Sequence, residues 1–328
     1  MQKLITAFVA VFALTAFSSA GNADAREPKM RVIDINDHLT AFYDGRPPQP
    51  QKSDGTPNWA DYGALDVGVA TYVIHRGDEA LVYDTFPYAE EAKWVRDYLT
   101  RMGIKRFTLA NSHWHLDHVG GNAVYADVNR IATNIAIETL AAEKPAIENG
   151  KEWGAPPINP LVNANLGIDA ITVFYVGDIP VELRPVNIHS EDGLVIYLPG
   201  DRILLAGDTL EDTVTFISEP DHITLQYLNM RKLKAWNIDR IFPNHGNPDV
   251  IAHGGYPTTL IDATLDYLRK VILHAHDPDY LSGTLEQYVG DSVRKGWVSI
   301  WWAYREPHET NLKRVAAAFK DKPIPVLP

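Results

Sequence analysis

The residues best suited to chemistry in this 328-residue chain lie in one segment, residues 113–118, with the sequence HWHLDH. Residues two apart in an extended segment point to the same side, so His113 and His115 can bind one metal ion together. Asp117 and His118 follow where the chain turns, and they can face a second ion. Imidazole and carboxylate ligands favour zinc, iron or manganese over calcium. The segment therefore predicts a site for transition-metal ions.

Three further candidate ligands, His189, Asp208 and His245, each come shortly after a strand-like run. Side chains that follow strands can converge at one edge of a sheet, which is a common location for active sites. The chain contains no cysteine, which excludes thiol catalysis and thiolate ligands. Any metal must therefore be held by histidine and carboxylate side chains. The pair Gly120 and Gly121 permits a close approach of the backbone to the site.

Hydrophobic patterns predict the elements that must position these side chains. A strand or hairpin is predicted at residues 31–43. Further strands are predicted at residues 69–74, 80–83, 107–110, 171–176, 180–184, 194–198, 203–206 and 240–243. Helices are predicted at residues 89–102, 134–143, 221–235, 258–275, 283–295 and 308–320. Two similar halves, each ending in loops that carry histidine, predict two packed sheets with helices outside.

The segment of residues 45–64 is rich in proline, glycine and aspartate and is predicted to be a loop. Loops of this length are often lids or binding loops, and a substrate lid is one interpretation. Trp59 and Tyr62 would then contact the substrate. The alternative is that these two side chains only pin the loop to the body of the protein.

The order of the motifs resembles that of the metallo-β-lactamase superfamily over roughly residues 31–250. The resemblance implies an α/β protein, an αββα sandwich with two metal ions at one edge. The implied ligands form two sets bridged by Asp208: His113, His115 and His189 for a first zinc ion, and Asp117, His118 and His245 for a second. The expected organisation is a signal peptide at 1–25, a catalytic domain at 26–256, and a helical C-terminal extension at 257–328 packed on it.

A two-metal centre of this kind predicts hydrolysis of an ester, lactone, thioester or amide. Two ions ~3.5–4 Å apart can share one water and lower its pKa toward ~7, which gives a bridging hydroxide. Asp117 and Asp208 are the candidate catalytic residues, which would orient that hydroxide, and Asp117 is the candidate proton acceptor. Pure ligation by both aspartates is the alternative. Two Zn²⁺ per chain are expected, with iron and manganese as alternatives.

The substrate is the least determined feature. Asp208 stands where β-lactamases of this superfamily with a cysteine ligand carry that cysteine, and Glu211 stands where many carry a lysine that binds the antibiotic's carboxylate. Both departures argue against β-lactam hydrolysis as the main activity and leave it open as a weak one. An iron-dependent oxidoreductase is another alternative, although the di-iron type usually has glutamate at the position of His115. A catalytically silent binding protein is disfavoured by the complete ligand set.

The net charge of -12 argues against nucleic acid and anionic membranes as partners, so a small-molecule substrate is expected. The first 25 residues read as an export signal: Lys3 precedes an uncharged, mostly apolar run, and small residues lead to Ala20 and Ala25. That run is shorter than the ~20 residues that span a bilayer. We therefore expect a periplasmic or secreted protein, cleaved after Ala20 or Ala25, without a membrane contact beyond the signal.

Overall fold

The computed structural model describes residues 27–50, 53 and 55–328; the predicted signal peptide lies outside this part of the chain. The strands form two sheets. The seven-stranded sheet contains, in spatial order, β1 (Arg31–Asn36), β2 (Leu39–Asp44), β3 (Val69–Arg76), β4 (Glu79–Tyr83), β5 (Arg106–Ala110), β6 (Asn129–Thr133) and β7 (Leu166–Ile168). The five-stranded sheet contains, again in spatial order, β12 (Arg240–Pro243), β11 (Ile203–Gly207), β10 (Leu194–Leu198), β9 (Ile179–Pro185) and β8 (Thr172–Val176).

Both sheets combine antiparallel and parallel strands. The first four strands pair antiparallel, whereas β4 to β7 run parallel. In the second sheet only β11 and β12 are parallel. Strands β4 and β11 are nearly continuous apolar runs because both faces of each are covered. The main core lies between the sheets, with contributions from Leu39, Tyr72, Leu81, Val181, Ile196 and Leu205.

The helices cover the outer faces of the sheets and form the C-terminal region. Their bounds are α1 (Leu65–Val67), α2 (Ala89–Arg101), α3 (Leu116–Val119), α4 (Asn134–Glu148), α5 (Ile223–Leu233), α6 (Pro248–Ala252), α7 (Thr259–Leu273), α8 (Pro278–Leu281), α9 (Leu285–Arg294) and α10 (Arg305–Phe319). Helix α2 shows why such a segment forms: Ala92, Val95 and Leu99 recur on one buried face and pack against the first sheet. None of the helices in the described residues is long and apolar enough to cross a bilayer.

The C-terminal helices share a hydrophobic core with the segment that follows Asp208. Val214, Ile217 and Ile223 lie in one cluster with Tyr267 of α7 and Leu312 of α10. The αββα arrangement with a helical C-terminal region is thus confirmed. The division between residues 256 and 257 stays a prediction.

The prediction of a loop throughout residues 45–64 is wrong at its C-terminal end. Residues Ala60–Ala64 form a wide helical turn that continues into α1. The turn forms because the Asn58 side chain accepts a hydrogen bond from the N–H of Asp61 at 2.9 Å. Ala60 and Leu65 are buried, so packing stabilises helical structure in a segment whose composition resembles that of a loop.

Candidate metal centre

The ends of parallel strands bring the candidate ligands together. Strand β5 is followed directly by residues 111–115, and the neighbouring β4 is followed by Asp84. In the second sheet, β11 leads into Asp208 and the parallel β12 leads into His245. His189 lies in the connection between β9 and β10. The two sheets therefore meet at one edge, where each contributes polar side chains.

Two glycines allow this edge to close. Gly207 adopts a φ of +55°, and a Cβ atom there would lie 2.9 Å from the Cβ of Ser112, so the strand end can approach residues 111–115 only without a side chain. A Cβ at Gly120 would lie 2.1 Å from the carbonyl oxygen of Pro87. The absence of a side chain at Gly120 therefore allows a close approach to the connection after β4, whereas the predicted approach was to the candidate ligands.

Asp208 is the geometric centre of the site. Its Oδ2 lies 3.0 Å from Nε2 of His118 and 3.3 Å from Nε2 of His245. The same oxygen lies 3.6 Å from Nε2 of His113 and 4.0 Å from Nε2 of His189. One carboxylate oxygen is thus within 4.0 Å of four imidazole nitrogens from three separate segments of the chain.

The potential ligand atoms form two groups that share this carboxylate. Within each group all ligand atoms lie within 4.8 Å of one another, and every residue is buried: His113, His115, His189 and Asp208 in one group, and Asp117, His118, Asp208 and His245 in the other. The structure therefore brings all seven predicted residues together, in the two sets that the sequence motifs imply. Their role as metal ligands stays a prediction.

The outward nitrogens of four histidines are held by neighbouring groups, which aims the other ring nitrogen at the centre. His245 Nδ1 donates to the carbonyl oxygen of Gly68 at 2.6 Å. His113 Nδ1 lies 2.8 Å from the Ser112 hydroxyl, and His189 Nδ1 lies 3.4 Å from the Thr215 hydroxyl. The Thr215 hydroxyl in turn donates to the carbonyl oxygen of Asp208, so it can accept from His189.

Asp84 supplies the fourth of these outer contacts and was not among the residues that the motifs identified. Its Oδ2 lies 2.9 Å from Nδ1 of His118 and accepts from Asn244 at 2.6 Å, and its Oδ1 accepts from the N–H of Ser112 at 2.7 Å. Asp84 has a φ of +68°, which is costly for a residue with a side chain. The only sequence signal was an apolar run, ALVY, that ends abruptly at an aspartate.

The five candidate histidines differ in the direction in which burial and neighbouring charges shift their pKa values. Burial lowers the pKa of His115 to about 3 and that of His189 to about 4, and it lowers the pKa of His113 well below its ordinary value. Burial acts in the same direction on His118 and His245, but the Asp208 and Asp117 carboxylates together outweigh it and raise the pKa of both. Cation binding at the second group must therefore displace protons.

The described residues fit a metal pair. His113 Nε2 and Asp208 Oδ1 are buried without a hydrogen-bond partner in the described part of the chain. Buried polar atoms are costly when unpaired, and here the unpaired atoms point into a group of imidazoles and carboxylates. Nitrogen and carboxylate donors of this kind suit zinc and its transition-metal neighbours. A divalent cation would satisfy these atoms together.

The two ligand groups open into a large cavity of about 1060 Å³. Trp59, Trp114 and Trp153 lie together in its lining, which also contains Phe216 and Trp302. The C-terminal region therefore contributes to the cavity as well as to the core. The sequence predicted Trp59 as a contact for either substrate or protein, and its position in the wall is compatible with both roles.

Glu211 is less available to a substrate than its alignment with the antibiotic-binding lysine implies. It is 3% exposed, and its two oxygens accept from the N–H of Phe216 at 2.9 Å and from the Tyr304 hydroxyl at 3.0 Å. Burial, reinforced by the Asp208 charge, raises the pKa of Glu211 to about 8. Without a metal ion, the buried Glu211 carboxyl therefore holds its proton more readily than an exposed glutamate does.

A family model and a known relative both match part of this chain. A family model described as the metallo-beta-lactamase superfamily matches residues 65–245, a range that includes all seven candidate ligands. The Beta-lactamase-like protein 2 homolog of Caenorhabditis elegans is 25% identical over 187 residues, which cover 55% of this chain. The chain spans only about half of that relative, 56% of its length.

Solved structures agree at the level of the fold. The metallo-beta-lactamase from Pontibacter korlensis has a TM-score of 0.54 and 17% identity, and the match covers 74% of this chain and 99% of that one. A metallo beta lactamase from Hirschia baltica has a TM-score of 0.51 and 16% identity, with 74% and 98% covered. Identities this low establish the fold and leave the substrate open.

Proposed function

Because the chain belongs to the metallo-beta-lactamase superfamily, we propose that it is a hydrolase that binds two zinc ions and cleaves an ester, lactone, thioester or amide bond of a small molecule. The superfamily supports hydrolase activity in general, and the choice of zinc, of two ions and of these bonds is the proposal. One observation carries it: a single oxygen of Asp208 lies within 4.0 Å of four imidazole nitrogens. No ordinary structural role requires so many buried polar groups around one carboxylate.

The proposal assigns each ligand group to one ion. His113, His115 and His189 would hold the first, Asp117, His118 and His245 the second, and Asp208 would bridge them. When bound, such a pair supplies an activated water at neutral pH and polarises the carbonyl that is attacked.

The aspartates orient the reacting groups in this proposal. Asp117 Oδ2 lies 3.2 Å from His245 Nε2 and 3.6 Å from His118 Nε2, so it is fixed at the second group. Although burial acts to raise it, His118 and His245 together lower the pKa of Asp117, so this carboxylate is ionised at neutral pH. The attacking water would give a proton to Asp117 Oδ2. Asp117 would then pass this proton to the departing oxygen or nitrogen.

Metal depletion tests the proposal. Protein stripped with a chelator should lose hydrolysis of a panel of lactones, aryl esters, thioesters and amides that includes β-lactams, and added zinc should restore it. His118→Ala should stay inactive after zinc loading, whereas His253→Ala, which changes an exposed histidine, should match the unaltered protein. Activity that survives complete metal removal contradicts the proposal. A coloured protein that contains iron and oxidises its substrate supports the oxidoreductase alternative instead.

We further propose that the protein acts outside the cytoplasm, on the basis of the signal-like residues 1–25. N-terminal sequencing of the protein from the periplasmic or secreted fraction should begin at Gly21 or Arg26. Uncleaved, full-length protein found only in the cytoplasm would contradict this proposed localisation.

A further inference from the structure

An indole group lies directly against the first ligand group. The Trp153 ring centroid is 5.1 Å from that of His115, 5.6 Å from that of Trp59 and 6.4 Å from that of Trp114. Trp59, Trp114 and Trp153, here called the tryptophan wall, all line the cavity above the candidate ligands. A substrate group beside His115 would therefore lie within reach of this wall.

Trp153 differs from the other exposed apolar residues. It is 40% exposed, and among the large exposed hydrophobic side chains of the described residues it alone lines the cavity. Its backbone adopts a φ of +57°, a conformation that costs free energy for a residue with a side chain. An exposed indole in a strained conformation beside a candidate metal ligand indicates a functional contact more than a packing contact.

Hydrogen bonds hold the wall in place on both sides. The N–H of Trp59 donates to the carbonyl oxygen of Ala155 at 3.0 Å, and the Trp59 indole N–H donates to that of Pro156 at 2.8 Å. On the other side, the N–H groups of Lys151 and Glu152 donate to Ala146 at the end of α4. The wall is therefore preformed, so binding a flat apolar group costs little reorganisation.

Two further aromatic side chains contribute to the cavity lining. These are Phe216 and Trp302, and the Trp302 indole is fixed by a hydrogen bond to the carbonyl oxygen of Pro47 at 2.9 Å. The volume of about 1060 Å³ lies at the upper end of the range for drug-sized ligands. A small aliphatic ester would leave most of this apolar surface in water.

We propose that the substrate carries an aromatic group that packs against the tryptophan wall and so places the scissile bond at the two ligand groups. This proposal rests on the hydrolase function proposed above. In the reaction, the oxygen of water bonds to the carbonyl carbon, the bond from that carbon to the leaving oxygen breaks, and the proton of water passes to the leaving oxygen. Aromatic groups gain from offset or edge contacts with an indole beyond the burial of apolar area.

Matched substrates test this proposal on zinc-loaded protein. Ethyl 3-phenylpropanoate is compared with ethyl propanoate, and 2-phenylethyl acetate with ethyl acetate, so that either side of the ester can carry the ring. In at least one pair kcat/KM should be about 10-fold or more higher for the phenyl ester. Trp153→Ala should lower kcat/KM more for the phenyl ester than for its aliphatic partner and so remove most of that preference, whereas Trp153→Phe should keep part of it. Trp297→Ala, which changes a half-buried indole outside the cavity, should keep all of it.

A binding measurement separates this proposal from the hydrolase function. Calorimetric titration with 3-phenylpropanoate should give a dissociation constant about 10-fold weaker for Trp153→Ala than for the unaltered protein or Trp297→Ala, with equal zinc content. If no ester is cleaved but this weakening is seen, the proposed aromatic binding at the tryptophan wall is supported and the proposed hydrolase function is contradicted. If esters are cleaved without a phenyl preference, and Trp153→Ala affects both members of each pair alike, the wall proposal is overturned. If Trp153→Ala binds less zinc than the unaltered protein, Trp153→Phe replaces it in both measurements, and a partial loss of the phenyl preference is then expected.

Discussion

The Oδ2 atom of Asp84 lies 2.9 Å from Nδ1 of His118, and both side chains are completely buried. This contact fixes the ring so that Nε2 faces Asp208 at 3.0 Å. The backbone of Asp84 is held at a φ of +68°, and its carboxylate also accepts from Ser112 and Asn244. A residue that is not itself a candidate ligand thus connects both sheets behind the candidate metal centre.

Replacement of Asp84 by asparagine should weaken metal binding at the second ligand group. The amide retains the shape but loses the charge that orients His118 and strengthens it as a ligand, and losses of this kind cost 10–100-fold in affinity. Competitive titration of zinc against a chromophoric chelator measures the effect. Asp201→Asn is the matched control, because Asp201 contacts His38 at the same 2.9 Å away from the centre. Equal zinc affinity in both variants would contradict the role given to Asp84.

Asp192 should make the stability depend on pH. Burial raises its pKa to about 6 from an ordinary value of 3.8. A raised pKa means that the folded state binds the proton more tightly, so the stabilisation from protonation is present below pH 4 and is lost as the pH rises through 6. Asp192→Asn should therefore resemble the unaltered protein at pH 4 and be more stable at pH 7.5, by up to roughly 3 kcal/mol.

Urea unfolding of both proteins at the two pH values measures this difference. The amide oxygen of asparagine can still accept from the N–H of Trp114, which donates to Asp192 at 2.8 Å, so the local contact is kept. A stability difference that does not change with pH would show that Asp192 is not held in its neutral form.

Asn311 should connect the C-terminal region to the centre. Its Oδ1 accepts from the N–H of Ile217 at 2.7 Å, and its Nδ2 donates to the carbonyl oxygen of Thr215 at 3.0 Å. Asn311→Ala leaves buried groups without partners, which costs about 2–4 kcal/mol of unfolding free energy. Because Thr215 contacts His189, zinc affinity at the first ligand group should fall as well.

Equilibrium unfolding and zinc titration test this coupling. Asn229→Ala is the control, since the half-buried Asn229 amide of α5 also makes two contacts: it donates to the carbonyl oxygen of Asn187 and accepts from the exposed Lys232 ammonium. If Asn311→Ala behaves like Asn229→Ala in both measurements, the C-terminal region does not support the centre.

The sequence predicted most of this architecture because its signals are local. The HWHLDH segment and the apolar runs that end at Asp208 and near His245 define the ligands and the strands that carry them. The fold class and family were therefore predicted correctly. Strand β6 was missed because NRIAT contains only two consecutive apolar residues, and it forms by parallel pairing with β5.

The contacts that Asp84 and Trp153 make with the candidate ligands could not be predicted from local sequence signals. A single aspartate after ALVY does not indicate that it meets His118, which lies 34 residues further along the chain. The contact of Trp153 with His115 also depends on how two distant loops meet. Such contacts follow from tertiary packing, and neither propensity nor periodicity encodes them.

Zinc stoichiometry tests the central claim most directly. After loading and exhaustive dialysis, elemental analysis should find about two zinc ions per chain, and His115→Ala and His245→Ala should each retain about one, because each removes a ligand from only one of the two groups. Folding of each variant is checked by circular dichroism. A folded, unaltered protein that retains no zinc, or two folded variants that both retain as much as the unaltered chain, would contradict the assignment of these side chains to a metal pair.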